Sequence, residues 1–180
     1  MAAFQIEGGH RLSGSITPQG AKNEALQVLC ACLLTQDEVT IHNLPQIADV
    51  LRLIELLDKM GVKVTRISEH SYSFKAENIQ TDYLFDADYY HRCTTLRGSV
   101  MLIGPMLARY HRAILPQPGG DKIGRRHLDT HFYGLCKLGA SFTYNADQRP
   151  YDATAHQLAG GHRLLDEASV TGTANIVMAA

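Results

Sequence analysis

The sequence has almost no excess charge of either sign. Lys and Arg number 17 against 18 Asp and Glu, which gives a formal net charge of −1 over 180 residues. Proteins that coat nucleic acid or bind membranes through polybasic segments need a strong basic excess, so this balance argues against both classes. A hydrophobic fraction of 45% against 19% charged residues excludes wholesale disorder and is sufficient for the core of one ordinary domain.

Cysteine is scarce, and long apolar runs are absent. The four cysteines show no spacing typical of a disulfide framework, and Cys30 and Cys32 stand in an apolar run where buried free thiols are expected. The most apolar runs, 25–34 and 99–108, are each about half of the ~20 residues that a membrane span requires. The N-terminus also lacks the basic and apolar regions of a signal peptide. We therefore expect a soluble protein of the reducing cytoplasm.

What the sequence does contain is an internal repeat. Three segments share a small or polar lead-in, a glycine and a helix rich in Ala, Leu, Val and Met, at 18–34, 94–108 and 168–180. Their glycines, Gly20, Gly98 and Gly172, are 78 and 74 residues apart. The first two units continue in the same way, with predicted strands at 39–45 and 113–116, helices at 47–60 and 128–138, and strands at 62–66 and 140–144. A further hairpin strand is expected at 71–76, so the repeated order predicts an α/β (α+β) fold of βαβαββ-type units.

The second unit carries an insertion, and the third is incomplete. Seven extra residues separate the strand at 113–116 from the helix that follows it, and they include the Gly-rich, basic loop 116–126. A long connection in an otherwise economical unit is typical of a functional loop. The third unit stops at Ala180 within its first helix, so we expect the chain to be a fragment of a longer protein.

Cations and small polar residues stand where the three repeated helices begin. Lys22 and Asn23 follow Gly20, although a lysine at that end opposes the helix macrodipole. Arg97 has the matching place in the second unit, and the segment 169–172 has it in the third. If the units pack about a common axis, these helix starts converge on a site for a polyanion. The alternative is that Lys22 and Arg97 are ordinary surface cations.

The loop 116–126 is a second candidate for anion binding. It combines Asp121 with Lys122, Arg125 and Arg126, just before the start of a helix. Cations and helix amides in one place suit phosphate, although a solvated surface turn can have the same composition. The glycine spacing is that of neither a Walker loop nor a dinucleotide fingerprint.

His127 and His131 stand four residues apart, which is the spacing of two metal ligands on one helix face. No glutamate follows His127, so the pair does not form the zinc-protease signature. No third ligand is apparent in the sequence, which therefore favours a site without metal.

Four segments together, GAKNEAL, TLRGS, PGGDKIGRRHLDTH and DEASVTGTANIVMAA, closely resemble the N-terminal part of the enolpyruvyl transferase family. The members that act on UDP-N-acetylglucosamine are the most similar, and the resemblance covers essentially all 180 residues. It implies an inside-out α/β barrel of repeated units. It also implies transfer of the enolpyruvyl group of phosphoenolpyruvate to the 3′-hydroxyl of the UDP-sugar, with release of phosphate, as the first committed step of peptidoglycan synthesis. No cofactor is implied, and the partner would be the missing C-terminal half of the same enzyme.

The resemblance also implies roles for individual residues. Lys22 would be catalytic and, with Asn23, would contact phosphoenolpyruvate. Asp121 falls on the general-acid position, where many members have a cysteine that the epoxide fosfomycin alkylates, so the aspartate implies fosfomycin resistance. Glu167 stands where other members can carry lysine. The UDP-sugar would be bound by Arg97, Arg126, His127, Leu128, Asp129, Thr130, Glu167, Ala168, Ser169 and Val170.

The resemblance further divides the chain. A leading strand region at 1–20 would pack with the missing C-terminal half, and 21–180 would form an incomplete transferase domain. Its units are expected at about 15–92, 93–167 and 168–180. Two alternatives stay open at this point: an enzyme similar to 5-enolpyruvylshikimate-3-phosphate synthase, and a truncated binding domain without catalysis.

Overall fold

The computed structural model describes residues 3–119, 127–144, 150–162 and 164–180. Within those ranges the helices are α1 (Lys22–Ala31), α2 (Ala48–Lys59), α3 (Ala87–Thr95), α4 (Ile103–Tyr110), α5 (Asp129–Leu138) and α6 (Val170–Ala179). The strands are β1 (Glu38–Ile41), β2 (Lys63–Ser68), β3 (Ser71–Lys75), β4 (Arg112–Pro116), β5 (Ser141–Tyr144) and β6 (Pro150–Thr154). Short 3₁₀ helices lie at Cys32–Leu34, Thr81–Phe85 and Arg97–Leu102.

The strands form two sheets of identical topology. The first has the order β1-β3-β2 and the second β4-β6-β5, and all neighbouring strands are antiparallel. In each sheet the last strand therefore lies between the first two, which run parallel to each other and are joined by a helix, α2 or α5. This shared arrangement is the predicted repeat of α and β elements, and the α/β fold class is confirmed.

The helices that open the three units pack together at the centre. Helix α6 contacts α1, α4 and α5, while α4 also packs on the 3₁₀ turn that ends α1. Leu29, Leu33 and Leu107 are fully buried here, and each contributes on the order of 2 kcal/mol through the apolar surface that it removes from water. The packing of these helices brings their starts, and the side chains on them, into one region.

The helices α2 and α5 end as the sequence predicts. Gly61 and Gly139 follow their last turns with φ angles of +96° and +110°, a backbone conformation that only glycine adopts at little cost. The predicted helices over 47–60 and 128–138 are thus confirmed to within two residues.

The helix predicted to follow Gly98, over 99–108, begins later than expected. Helix α3 ends at Thr95, Arg97–Leu102 is a 3₁₀ helix, and α4 begins only at Ile103. Pro105 is the physical reason, because it has no N–H to donate to the carbonyl of Met101 and is tolerated only in the first turn of an α-helix. Helix α3 itself was not predicted from the sequence. Asp86 starts it by accepting a hydrogen bond from the Asp88 amide at 2.7 Å.

The three glycines that mark the repeat do not occupy equivalent places. Gly20 precedes α1 by two residues, Gly98 lies in a 3₁₀ helix, and Gly172 lies in the first turn of α6. Close packing accounts for two of them: a Cβ at position 20 would lie 1.9 Å from the Asn43 carbonyl oxygen, and one at position 172 would lie 2.9 Å from the Ser169 Oγ atom.

Residues 3–21 form neither a helix nor a strand, and the expectation that 1–20 is a leading strand region that packs with another part of the protein stays a prediction. Four large apolar side chains of this segment are almost fully exposed: Phe4, Ile6, Leu12 and Ile16. In the part of the chain that the structure describes, no helix has the length and apolarity needed to cross a bilayer.

Candidate active site

A cavity of about 410 Å³ opens where the helices of the three units begin. Its walls come from the start of α1, the 3₁₀ helix before α4, the start of α5 and the start of α6. The described residues that line it are Lys22, Asn23, Leu26, Gln27, Asp49, Arg97, Gly98, Val100, Met101, His127, Thr130, His131, Glu167, Ser169 and Thr171. Seven residues that the sequence analysis singled out for substrate binding are therefore in one place: Lys22, Asn23, Arg97, His127, Thr130, Glu167 and Ser169.

Lys22 is the first residue of α1, and its ammonium is held by a carboxylate. The Lys22 Nζ atom lies 2.5 Å from Oδ2 of Asp49, which stands in the first turn of α2. The carboxylate offsets the unfavourable position of a cation at a helix N-terminus and fixes where the ammonium points. Sequence reasoning missed Asp49, because nothing in the spacing of 27 residues between the two positions indicates that α1 and α2 start side by side.

Arg97 connects the second unit's helix start to the segment before α5. Its guanidinium donates a hydrogen bond to the His127 carbonyl oxygen at 3.5 Å. A planar guanidinium at the edge of a cavity suits the bidentate binding of phosphate or carboxylate.

The start of α6 supplies polar groups from the third unit. Ser169 caps the helix, since its Oγ accepts a hydrogen bond from the Gly172 amide at 3.0 Å. Nearby, the Thr130 hydroxyl donates to the Glu167 carboxylate at 3.1 Å. This hydrogen bond joins α5 to the segment before α6.

His131 forms the buried floor of the cavity, with a relative exposure of 4%. Burial lowers the pKa of His131 to about 4, and the nearby positive charge of Arg97 adds to the effect while Glu167 opposes it. The ring is therefore neutral at neutral pH. Its Nδ1 atom lies 3.1 Å from Nδ2 of Asn175 and its Nε2 atom 3.3 Å from Oγ1 of Thr171.

Some predicted site residues lie elsewhere. Leu128, Asp129, Ala168 and Val170 are not among the described residues that line the cavity. Asp129 points to His127, whose Nδ1 atom is 3.2 Å from its carboxylate, and Val170 is 71% exposed. Asp121 and Arg126, two further predicted site residues, lie outside the described residues.

The hypothesis that His127 and His131 share a helix face is wrong. Helix α5 begins at Asp129, so His127 precedes it and its side chain is exposed, while His131 lies inside the helix and is buried. Among residues 3–119, 127–144, 150–162 and 164–180, no three His, Cys, Asp or Glu side chains are placed to hold a metal ion.

The cavity can bind an anion and fix its orientation. Lys22 and Arg97 bring positive charge from two different units, and the start of α6 adds a helix N-terminus from the third. Asp49 and Glu167 bring negative charge next to these groups, which favours ligands that combine phosphate or carboxylate groups with hydroxyl donors.

Comparison with known proteins shows which sequences and folds this chain is similar to. The model of the family "EPSP synthase (3-phosphoshikimate 1-carboxyvinyltransferase)" matches residues 6–180. A UDP-N-acetylglucosamine 1-carboxyvinyltransferase of Bacteroides fragilis is 61% identical over 180 residues, which are all of this chain and 42% of that protein. The protein of the same name from Porphyromonas gingivalis is 53% identical over the same shares. The chain thus spans less than half of the length of these curated relatives.

A solved structure has the same fold. The enolpyruvyl transferase NikO from Streptomyces tendae superposes with a TM-score of 0.65 at 23% identity, covering 84% of this chain and 32% of its own. This likeness agrees with the predicted inside-out α/β barrel.

Proposed function

Since the chain belongs to the EPSP synthase family of carboxyvinyltransferases, we propose that the protein containing it transfers the enolpyruvyl group of phosphoenolpyruvate to the 3′-hydroxyl of UDP-N-acetylglucosamine. The observation that carries this proposal is the convergence of Lys22, Arg97 and Ser169, from three different units, on one cavity. Both substrates are polyanions, and the cavity offers them two cations and a capped helix start.

The proposal assigns the two ends of the cavity to the two substrates. Lys22 and Asn23 bind phosphoenolpyruvate, and the ion pair with the Asp49 carboxylate, which accepts from the ammonium, holds Lys22 in position. Arg97, the segment 126–130 and the segment 167–170 bind the UDP-sugar. The relatives from Bacteroides and Porphyromonas support this acceptor, because they are named for UDP-N-acetylglucosamine and are 53–61% identical to this chain over its whole length.

The reaction consists of an addition and an elimination. In the addition, an acid gives a proton to C3 of phosphoenolpyruvate while the sugar 3′-oxygen bonds to C2 and loses its own proton to a base. In the elimination, C3 loses a proton, the C2–O bond to phosphate breaks, and inorganic phosphate leaves with the electron pair. The product is the enolpyruvyl ether of the UDP-sugar.

Within this scheme Asp121 is the proposed general acid and Lys22 the cation that stabilises the developing charge on the phosphoenolpyruvate. The carboxylate that acts as base, and further arginines for the phosphate, are proposed to lie in the part of the protein outside this chain. The chain would then hold one wall of the active site.

We also propose how the chain is organised within the whole protein. Units at about 15–92, 93–167 and from 168 onwards would build one barrel domain, and residues 1–20 would pack with the other domain. The exposure of Phe4, Ile6, Leu12 and Ile16 supports the second point, because several large apolar side chains exposed within one short segment are typical of a surface that another part of the protein covers. The proposed activity places the protein in the cytoplasm, at the first committed step of peptidoglycan synthesis.

A comparison of acceptors tests the proposed function. Release of inorganic phosphate from phosphoenolpyruvate is followed for the full-length protein, with either UDP-N-acetylglucosamine or shikimate 3-phosphate present. We expect release with the UDP-sugar and only background release with shikimate 3-phosphate. The opposite preference would replace the proposed acceptor, and no release with either would refute the transferase activity.

A further inference from the structure

Asn175, in α6, is a polar side chain with no exposure to solvent. Its Oδ1 atom accepts a hydrogen bond from the Gly104 amide at 2.7 Å, and its Nδ2 atom donates to the Val100 carbonyl oxygen at 2.9 Å. A backbone amide can only donate and a carbonyl can only accept, so these two contacts fix which end of the side-chain amide is oxygen and which is nitrogen.

The orientation of Asn175 fixes the state of His131. Since Nδ2 of Asn175 is a donor, the His131 Nδ1 atom, 3.1 Å away, must accept. The neutral imidazole then carries its proton on Nε2. That proton faces Oγ1 of Thr171 at 3.3 Å, and the threonine oxygen is the acceptor.

The hydroxyl of Thr171 is the next hydrogen-bond donor in the network formed by Asn175, His131 and Thr171. A hydroxyl whose oxygen accepts from one side has its own proton free for another partner. Thr171 lines the cavity next to Ser169, and within the described ranges His131 is the single side chain to which it is hydrogen-bonded.

We propose that Thr171 is a substrate-binding residue, whose hydroxyl donates a hydrogen bond to a phosphate oxygen of the nucleoside diphosphate, and that His131, held by Asn175, positions this hydroxyl. The proposal rests on the proposed function, which places the UDP-sugar at the start of α6. A hydroxyl that donates to an anionic oxygen forms a charge-assisted hydrogen bond, which is stronger than one between neutral groups. Asn175 and His131 are positioning residues, since they act through Thr171.

Affinity for UDP-N-acetylglucosamine, measured by calorimetry on the full-length protein, tests the role of Thr171. Thr171→Val keeps the branched shape and removes the hydroxyl, while Thr171→Ser keeps the hydroxyl. We expect Thr171→Val to raise Kd for the UDP-sugar about 10-fold or more, with KM for phosphoenolpyruvate changed by less than about threefold. Thr171→Ser should stay within about threefold of the unmodified protein. Equal affinity of Thr171→Val and the unmodified protein, or an equal loss in both variants, would overturn the role of the hydroxyl.

A double-mutant cycle tests the positioning by His131. His131→Leu removes the donor to Thr171. We expect this substitution to raise Kd for the UDP-sugar about fivefold or more when residue 171 is threonine, and to leave Kd unchanged when it is introduced into the Thr171→Val variant. His131→Gln can accept from Asn175 and donate to Thr171, so it should restore most of the affinity. Fully additive losses from His131→Leu and Thr171→Val would overturn the positioning role.

The same experiments separate this inference from the proposed function. If the unmodified full-length protein binds UDP-N-acetylglucosamine and releases phosphate while Thr171→Val behaves identically, the inference alone is wrong. If the unmodified protein does neither, the proposed function is wrong and the inference with it.

Discussion

The ammonium of Lys22 and the carboxylate of Asp49 lie 2.5 Å apart, at the adjoining starts of α1 and α2. Both line the cavity, so the pair sets the position of a cation that the proposed function assigns to phosphoenolpyruvate. A charge pair that is partly open to solvent adds little to stability. We therefore expect the ion pair to act mainly by orienting the Lys22 ammonium.

Asp49→Asn tests that orientation. The amide holds an ammonium less firmly than the carboxylate, so we expect kcat/KM for phosphoenolpyruvate to fall about 10-fold or more in steady-state assays of the full-length protein. The loss should disappear in a Lys22→Met background, where there is no ammonium to orient. Asp58→Asn, an exposed position in the same helix, is the matched control and should leave the kinetics unchanged. An equal loss with Lys22 and with Met at position 22 would contradict the account.

The neutral state of His131 predicts a pH dependence of stability. Its pKa is about 4 in the folded protein, against 6.5 for an ordinary histidine, so the unfolded state binds the extra proton between these pH values. Above about pH 6.5 His131 is neutral in both states and costs no stability. As the pH falls from 6.5 towards 4, the free energy of unfolding decreases by at most about 3 kcal/mol, because the unfolded state takes up a proton that the buried ring does not. Urea unfolding at pH 5.0 and 7.0 should show a smaller pH effect for His131→Gln than for the unmodified protein. Identical pH effects would show that His131 is protonated at the same pH in both states.

The close approach of α4 and α6 predicts a sensitive glycine. A Cβ at Gly104 would lie 2.2 Å from the Asn175 backbone oxygen and 2.6 Å from its Oδ1 atom. We expect Gly104→Ala to lower the free energy of unfolding by about 1–3 kcal/mol, because the two helices must move apart. Gly160→Ala is the control, since a Cβ there meets nothing within 4 Å. Equal unfolding midpoints of the two variants in urea would contradict the tight packing at Gly104.

Because the residue at the proposed general-acid position is Asp121 and not a cysteine, proton donation and nucleophilic attack can be tested separately. A carboxyl group can donate a proton but attacks an epoxide far more slowly than a thiolate does. The full-length protein should therefore turn over yet resist time-dependent inactivation by fosfomycin, and Asp121→Cys should become sensitive. Asp121→Asn should lose most of its turnover, and near-normal turnover of that variant would remove the acid role. Rapid irreversible inactivation of the unmodified protein would separately refute the resistance.

The repeat and the helices ended by Gly61 and Gly139 could be predicted from the sequence, since local periodicity and a terminating glycine determine them. The convergence of Lys22, Arg97 and Ser169 followed from the repeat as well. Long-range partners could not be predicted. Asp49 and Asn175 reach the site only because particular helices pack side by side, and no spacing in the sequence shows such contacts. The helix expected after Gly98, over 99–108, is α-helical only from Ile103 onwards, because Pro105 cannot donate to the Met101 carbonyl and therefore lies in the first turn of α4.

The most direct test of the account is a crystal structure of the full-length protein with UDP-N-acetylglucosamine bound. We predict that the diphosphate lies in the cavity between Arg97 and the start of α6, with one phosphate oxygen within hydrogen-bond distance of the Thr171 hydroxyl. The sugar 3′-hydroxyl should face Lys22 and Asn23. Density for the ligand outside this cavity, or a diphosphate that contacts neither Arg97 nor the first turn of α6, would contradict the account.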